Sequence, residues 1–272
     1  MTIANPPFEL QVDRRQARGP QVHKALRDAI LELRLLPGTP ISENWICQQC
    51  NVSRTPAREA LIRLAQEELI VVFPQEGSFV APISLKKVIE ASFIREALEV
   101  SILKMAGQVW TQAHTEAVQK ILDHQRMHAQ HGDNPAFFRE DQGFHHYFAT
   151  VAGAEAMSTV INETATHLTR IRKLTHREEG RMQQALKDHE TILRHVANGD
   201  IDLAIQALTQ HLSRAFQAHN RAAERFPEYF KDRGGRIEEI PEAMRRYLSS
   251  YTPPAEPHSR GSHDRLAETS GR

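Results

Sequence analysis

The chain has 272 residues, enough for two domains, and its 40% hydrophobic and 25% charged residues are ordinary for a soluble globular protein. Lys plus Arg and Asp plus Glu number 34 each, which excludes a wholly basic surface that binds nucleic acid indiscriminately. No run of about 18 or more apolar residues occurs, so no membrane span is expected. The first thirteen residues lack the basic, apolar, small-residue order of a signal peptide, and a cytoplasmic location is expected.

Aromatic residues are few, at 6%, and strand-like alternation is confined to one short place, so the predicted fold is mainly α. Residues 1–19 read as a flexible N-terminal arm carrying Arg14, Arg15 and Arg18. Gln21 to Leu35 reads as a helix with Val22, Leu26, Ile30 and Leu33 as its apolar stripe, stopped by Pro37-Gly38. Ser42 caps a short second helix holding Trp45 and Ile46, and Asn51-Val52 turns into a third helix running to about Glu68. Ser53 is a favoured N-cap, and Pro56 falls where a missing N–H breaks no hydrogen bond. Ala57, Ala60, Leu61 and Leu64 share one face of that helix, leaving Arg54, Thr55 and Arg58 on the other. Leu69 to Phe73 and Phe79 to Ala81, around Pro74-Gln75-Glu76-Gly77-Ser78, read as a β-hairpin with Gly77 near its tip.

Cys47-Gln-Gln-Cys50 is half a zinc ribbon, with no second pair to complete it. Two buried or half-buried thiols are the expectation, and redox sensing is the alternative.

Six stretches carry a resemblance. They are Leu26-Arg27-Asp28-Ala29-Ile30, Leu36-Pro37-Gly38, Ile41-Ser42-Glu43, Val52-Ser53-Arg54-Thr55-Pro56, Arg58-Glu59-Ala60-Leu61 and Gly77-Ser78-Phe79-Val80. In this order they resemble the N-terminal winged helix-turn-helix of GntR-type bacterial transcription regulators, over residues 20–83. The resemblance implies that the third helix enters the major groove of double-stranded operator DNA. It carries DNA contacts to Asn44, Ser53, Arg54, Arg58 and Gly77, and Thr55, on the same free face of the third helix as Arg54 and Arg58, is a further candidate. Asn44 departs from the family, where arginine is common at that place.

Pro82-Ile83-Ser84 reads as a linker, with Ser84 as the next N-cap. From 84 to 226 six helices are predicted, roughly 84–107, 111–131, 134–152, 155–174, 178–197 and 200–225, with breaks at Gly107, Gly132, Gly153, Gly180 and Asn198-Gly199. Short turns between them imply an antiparallel all-helical bundle. It resembles the FCD effector domain of the FadR branch, with a helix count nearer the VanR-like variant. Residues 227–272 turn polar and are expected to be a largely disordered extension.

Asp141 and His145, one turn apart, present an oxygen and a nitrogen to one point among Phe144, Phe148 and Val151. His189 and His211 lie on apolar helices of the same bundle. The residues alone leave two readings, a buried Asp–His hydrogen-bond network or a metal site. Metal-binding FCD domains hold a divalent ion with one Asp and three His, and Asp141, His145, His189 and His211 match that set. Zinc, nickel and manganese all suit these donors, with zinc the first choice. Arg95 interrupts an apolar helix, and its anion is either Glu99 or the carboxylate of an effector. Asn162 and His176 are further candidates for the effector pocket.

The expected function is that of a homodimeric, ligand-responsive transcription regulator, in the commoner arrangement a repressor, sensing a small organic acid beside a metal. Two rivals remain: a regulator that senses the metal itself, and, more remotely, a helical metalloenzyme with a DNA-binding domain attached.

Overall fold

A computed structural model describes residues 12–13, 15–175, 179–231, 239–242 and 244. Helix α1 spans Arg18–Leu31, α2 Glu43–Cys50 and α3 Arg54–Gln66. The hairpin β1 (Ile70–Phe73) and β2 (Gly77–Val80) follows, paired antiparallel from Ile70 with Val80 to Phe73 with Gly77. Its loop is therefore the three residues 74–76, shorter than the sequence suggested. Gly77 holds a φ of +113°, which a side chain would strain.

The first helix begins earlier than predicted, and Gly19 and Pro20 sit in its opening turn, where proline leaves no hydrogen bond broken. Ser42 caps α2 as expected, its hydroxyl accepting from the Trp45 N–H at 3.1 Å. Ser53 does not repeat this. Its backbone is extended at the N-cap position of α3, but its side chain makes no capping bond. Val22, Leu26, Ile30, Ile46, Ala57, Ala60 and Leu64 close the core of this unit, and Cys50 packs inside it. Both cysteines are free; burial, and then the neighbouring Cys47, push the Cys50 thiol up to about 11, which leaves it a poor nucleophile.

The bundle comprises α4 (Leu85–Gln108), α5 (Gln112–His131), α6 (Asn134–Val151), α7 (Glu155–Thr164), α8 (Thr166–Thr175), α9 (Arg181–Ala197) and α10 (Ile201–Arg225). One predicted helix, 155–174, is two. The break falls at Ala165, where the Thr164 hydroxyl donates to the carbonyls of Val160 and Ile161 and the chain turns into α8. Gly107 does not stop α4. A Cβ there would lie 2.4 Å from Ile201 Cδ1, so the glycine admits the start of α10 against the helix.

The bundle core runs from Ile102, Leu103 and Val118 through Phe137, Phe144 and Phe148 to Ile192 and Leu208. A third cluster joins the two units: Leu33 and Ile83 pack with Val88, Leu168, Ile171, Leu174 and Ala222. Phe230 completes this cluster at 2% exposure, following a 3-10 turn at Pro227–Tyr229. The polar extension expected from residue 227 thus starts with a packed segment, because Tyr229 and Phe230 supply apolar surface to the joint. No described helix is long and apolar enough to cross a membrane.

Candidate metal centre and DNA-facing surface

Asp141 and His145 lie on α6, His189 on α9 and His211 on α10. One ligand atom from each falls within 4.8 Å of the other three. Each imidazole is fixed through Nδ1 by a different oxygen. His145 Nδ1 lies 2.8 Å from Glu99 Oε2, His189 Nδ1 2.8 Å from Gln125 Oε1, and His211 Nδ1 3.2 Å from Asp188 Oδ2. This orients all three Nε2 atoms toward a common point, the arrangement typical of imidazoles that ligate a metal. His189 Nε2 is 3.4 Å from His211 Nε2 and 3.7 Å from Asp141 Oδ1. His145 Nε2 is buried with no hydrogen-bond partner. An orphaned nitrogen beside two others and a carboxylate oxygen fits a divalent cation better than a closed hydrogen-bond network.

Burial keeps two of these donors, His145 and His189, unprotonated. Burial holds the His189 imidazole well below its usual value, with His211 adding to the effect. His145 is also lowered, by burial first, against the opposing pull of Glu99. Burial by itself would raise Glu99, yet Arg95 and His145 hold its carboxyl far below the carboxylate range. The neutral imidazole is the form in which His145 and His189 could ligate a metal, and the ionised Glu99 holds the first ring from behind.

The anion for Arg95 is Glu99: the guanidinium Nε donates to Oε1 at 2.6 Å, with both side chains buried. Arg95 also lines a cleft of about 760 Å³ that reaches His145, Arg172, Asn162 and Thr169 and extends to Arg27 and Leu31 of α1. Asn162 is exposed on the wall of that cleft. His176 lies outside the described residues.

Sequence reasoning missed the second layer. Arg172, buried on α8, binds the Asp141 carboxylate through Nη2, and burial, then Arg95, lowers it to about 10. Gln125 donates its amide to the Glu140 carbonyl at 3.1 Å, which aims its oxygen at His189. Asp188 receives both ends of the Arg214 guanidinium, at 2.6 and 3.1 Å. Only the dipeptide Asp188-His189 gave a sequence signal. Arg172 and Gln125 sit among polar runs that read as surface.

The second candidate surface is open. Asn44, Ser53, Arg54, Thr55, Arg58 and Gly77 are all exposed, on the start of α2, the first turns of α3 and the hairpin. Arg58 approaches Glu43 only to 4.0 Å and stays 73% exposed. Arg54 and Arg58, one turn apart, stand at the N-terminal end of α3, where the helix end itself favours an anion.

The family described as "Bacterial regulatory proteins, gntR family" matches residues 19–80, and the FCD domain matches residues 90–214. The HTH-type transcriptional repressor RspR of Escherichia coli (strain K12) is 31% identical over 225 residues, which span 82% of this chain and 98% of that protein. The gluconate operon transcriptional repressor of Bacillus subtilis (strain 168) is 27% identical, over 71% of this chain and 81% of its own. Among solved structures, E. coli McbR/YncC superposes with a TM-score of 0.63 at 17% identity, covering 76% of this chain and 98% of that one. A putative GntR regulator from Rhodococcus sp. RHA1 gives 0.62 at 22% identity, covering 76% and 99%. At these identities the two structures speak for the fold.

Proposed function

Because the chain belongs to the GntR family and carries an FCD domain, it is a DNA-binding transcriptional regulator and no enzyme, and we propose that a metal-anchored organic acid controls it. Asp141, His145, His189 and His211 would hold the ion, with zinc preferred for three neutral imidazoles and one carboxylate. The observation that carries this reading is the orphaned, buried His145 Nε2, facing two further Nε2 atoms whose rings are each pinned from behind. When bound, the metal would supply a fixed positive charge on which an effector carboxylate could lodge.

The chain's own residues do the rest. Glu99, Gln125 and Asp188 fix the tautomer and orientation of the three rings. Arg95 and Arg172 give the cleft a cationic inner end. Phe144, stacked on His189 at 4.0 Å, keeps water from that side of the ring. A cleft of about 760 Å³ beside two buried guanidinium groups favours an organic anion as the signal over the metal alone. This sets the effector reading above the metal-sensing one.

At the other end, Arg54, Thr55 and Arg58 would read the major groove, Asn44 and Ser53 would hold phosphate, and Gly77 would let the hairpin tip approach the backbone. A homodimer would place two such surfaces on a two-fold symmetric operator. The effector must bind DNA-competent and DNA-incompetent dimers with different affinity.

The test begins with metal analysis of the purified chain, followed by a thermal-shift screen of small mono- and dicarboxylates. One bound zinc per chain, and a stabilising acid lost in both Arg95→Met and His189→Ala, is the expected result. An unchanged zinc content in His189→Ala would refute the assignment of the ligands.

A further inference from the structure

Helix α8 carries two buried guanidinium groups that face opposite ways. Arg170 and Arg172 are two residues apart, roughly 200° around the helix axis. Arg172 reaches the Asp141 carboxylate in the bundle. Arg170, with no exposed surface, reaches the connection between the two units: its Nη2 donates to the Ala81 carbonyl at 2.7 Å and its Nη1 to the Pro82 carbonyl at 3.3 Å. Among the described residues no carboxylate pairs with Arg170. One turn earlier, His167 Nδ1 accepts from the Ser84 N–H at 3.1 Å. The Ile83 N–H between them donates to the Tyr229 carbonyl at 2.8 Å. The supposed linker Pro82-Ile83-Ser84 is therefore held along its whole length.

A buried guanidinium without a counter-ion costs more than two main-chain hydrogen bonds return, so Arg170 is not explained as a stability device. Its neighbours on that face, Ile171 and Leu174, already supply the apolar joint with Ile83 and Leu33. What Arg170 adds is direction. Its fork fixes two successive carbonyls of the connection relative to α8. The side of α8 that carries Arg172, together with Thr169, walls the cleft next to His145.

We propose that α8 is a two-sided latch: Arg170 and His167 grip residues 81–84, and the state of Asp141, felt through Arg172, sets how tightly they do so. The trigger rests on the reading of the cluster as a metal and effector site, whereas the grip does not. Any change that withdraws Asp141 from Arg172 shifts α8, and the joint to the winged helix responds. The two sites are then linked by a contiguous element with a contact at each end.

Hydrogen–deuterium exchange on the full chain tests this, read at the peptide covering residues 81–87. Arg170→Met, which is close in length and apolar, should raise exchange there by about tenfold or more, the scale set by the loss of two hydrogen bonds of modest net worth each, with the cores of both units unchanged. His167→Phe removes the acceptor for Ser84 and should act in the same direction, and it serves if Arg170→Met does not fold. Asp141→Asn should alter linker exchange in the Arg170 background and leave it unaltered in Arg170→Met. Wild-type protection in both α8 variants would overturn the grip. An unchanged linker in Asp141→Asn would overturn the coupling. Zinc added to the wild type, with bound metal measured in the same sample, separates the two readings: bound zinc with no change in linker exchange also overturns the coupling, whereas failure to bind zinc refutes the metal site and leaves the Asp141→Asn arm to decide the latch.

Discussion

The two candidate sites of this chain use charge in opposite ways. On α3, Arg54 and Arg58 stand in solvent, and the best internal partner of Arg58 is 4.0 Å away at Glu43. In the bundle, Arg95, Arg172, Glu99, Asp141 and Asp188 are buried, and each is tied to another charged group. Water pays the solvation of the first set, so those side chains are free to change partner when phosphate arrives. The second set has no water to fall back on and must be satisfied from within. An open surface can bind a polyanion; a closed network can report a small change in its own composition.

The sharpest way to break this contrast is to remove one charge from each end. Glu99→Ala strands Arg95 and frees His145, and a loss of about 3–5 kcal/mol of stability in urea denaturation is expected. Arg58→Ala should shift stability by less than about 0.5 kcal/mol. Similar losses would mean that the buried network is no more constrained than the surface.

Metal is the next lever. Zinc at 100 times its dissociation constant should stabilise the chain by about 2.7 kcal/mol, read as a rise in Tm. The rise should vanish in His189→Ala and persist in Arg54→Ala. Acid acts on the same network. Glu99 and Asp188 are held below their usual values of 4.5 and 3.8, so their stabilisation is present above those values and is lost as pH falls below them. The depressed His145 and His189 act in the same direction from about pH 6.5 downward, since protonation favours the unfolded chain. A metal-free Glu99→Gln variant should show a shallower acid decline, measured by urea midpoints across pH.

At the DNA end, Arg54→Ala should cost about 1–3 kcal/mol of operator affinity and relax the base preference at one position. Zinc content should be untouched. Smallest of all is Cys47→Ser, for which a change of less than about 0.5 kcal/mol in stability and no loss of operator binding are expected. A large loss of binding would revive redox sensing at Cys47 and Cys50.

The legible parts of the sequence were those where one element carries the whole signal. The stripe Val22, Leu26 and Ile30, the Ser42 cap and the exposed first turns of α3 depend on local period and on residue type. Asp141 and His145 were legible for the same reason, being one turn apart on one helix. The break at Ala165 was not, because Thr164 and its neighbours fit a helix interior poorly but do not forbid it. Ser53 looked like Ser42, yet of the two only Ser42 makes a capping bond, a difference that residue type alone does not carry.

By itself, then, the sequence determined a mainly helical chain with one hairpin and the basic face of α3, and the family resemblance read it as a winged helix-turn-helix with a bundle and drew Asp141, His145, His189 and His211 together. Tertiary structure alone decided that Glu99, Gln125 and Asp188 stand behind the three rings, that Arg172 meets Asp141, and that α8 grips residues 81–84. The reason is range: helical period and capping act over three or four residues, whereas these contacts join positions from 23 to 89 residues apart, where only packing selects the neighbour.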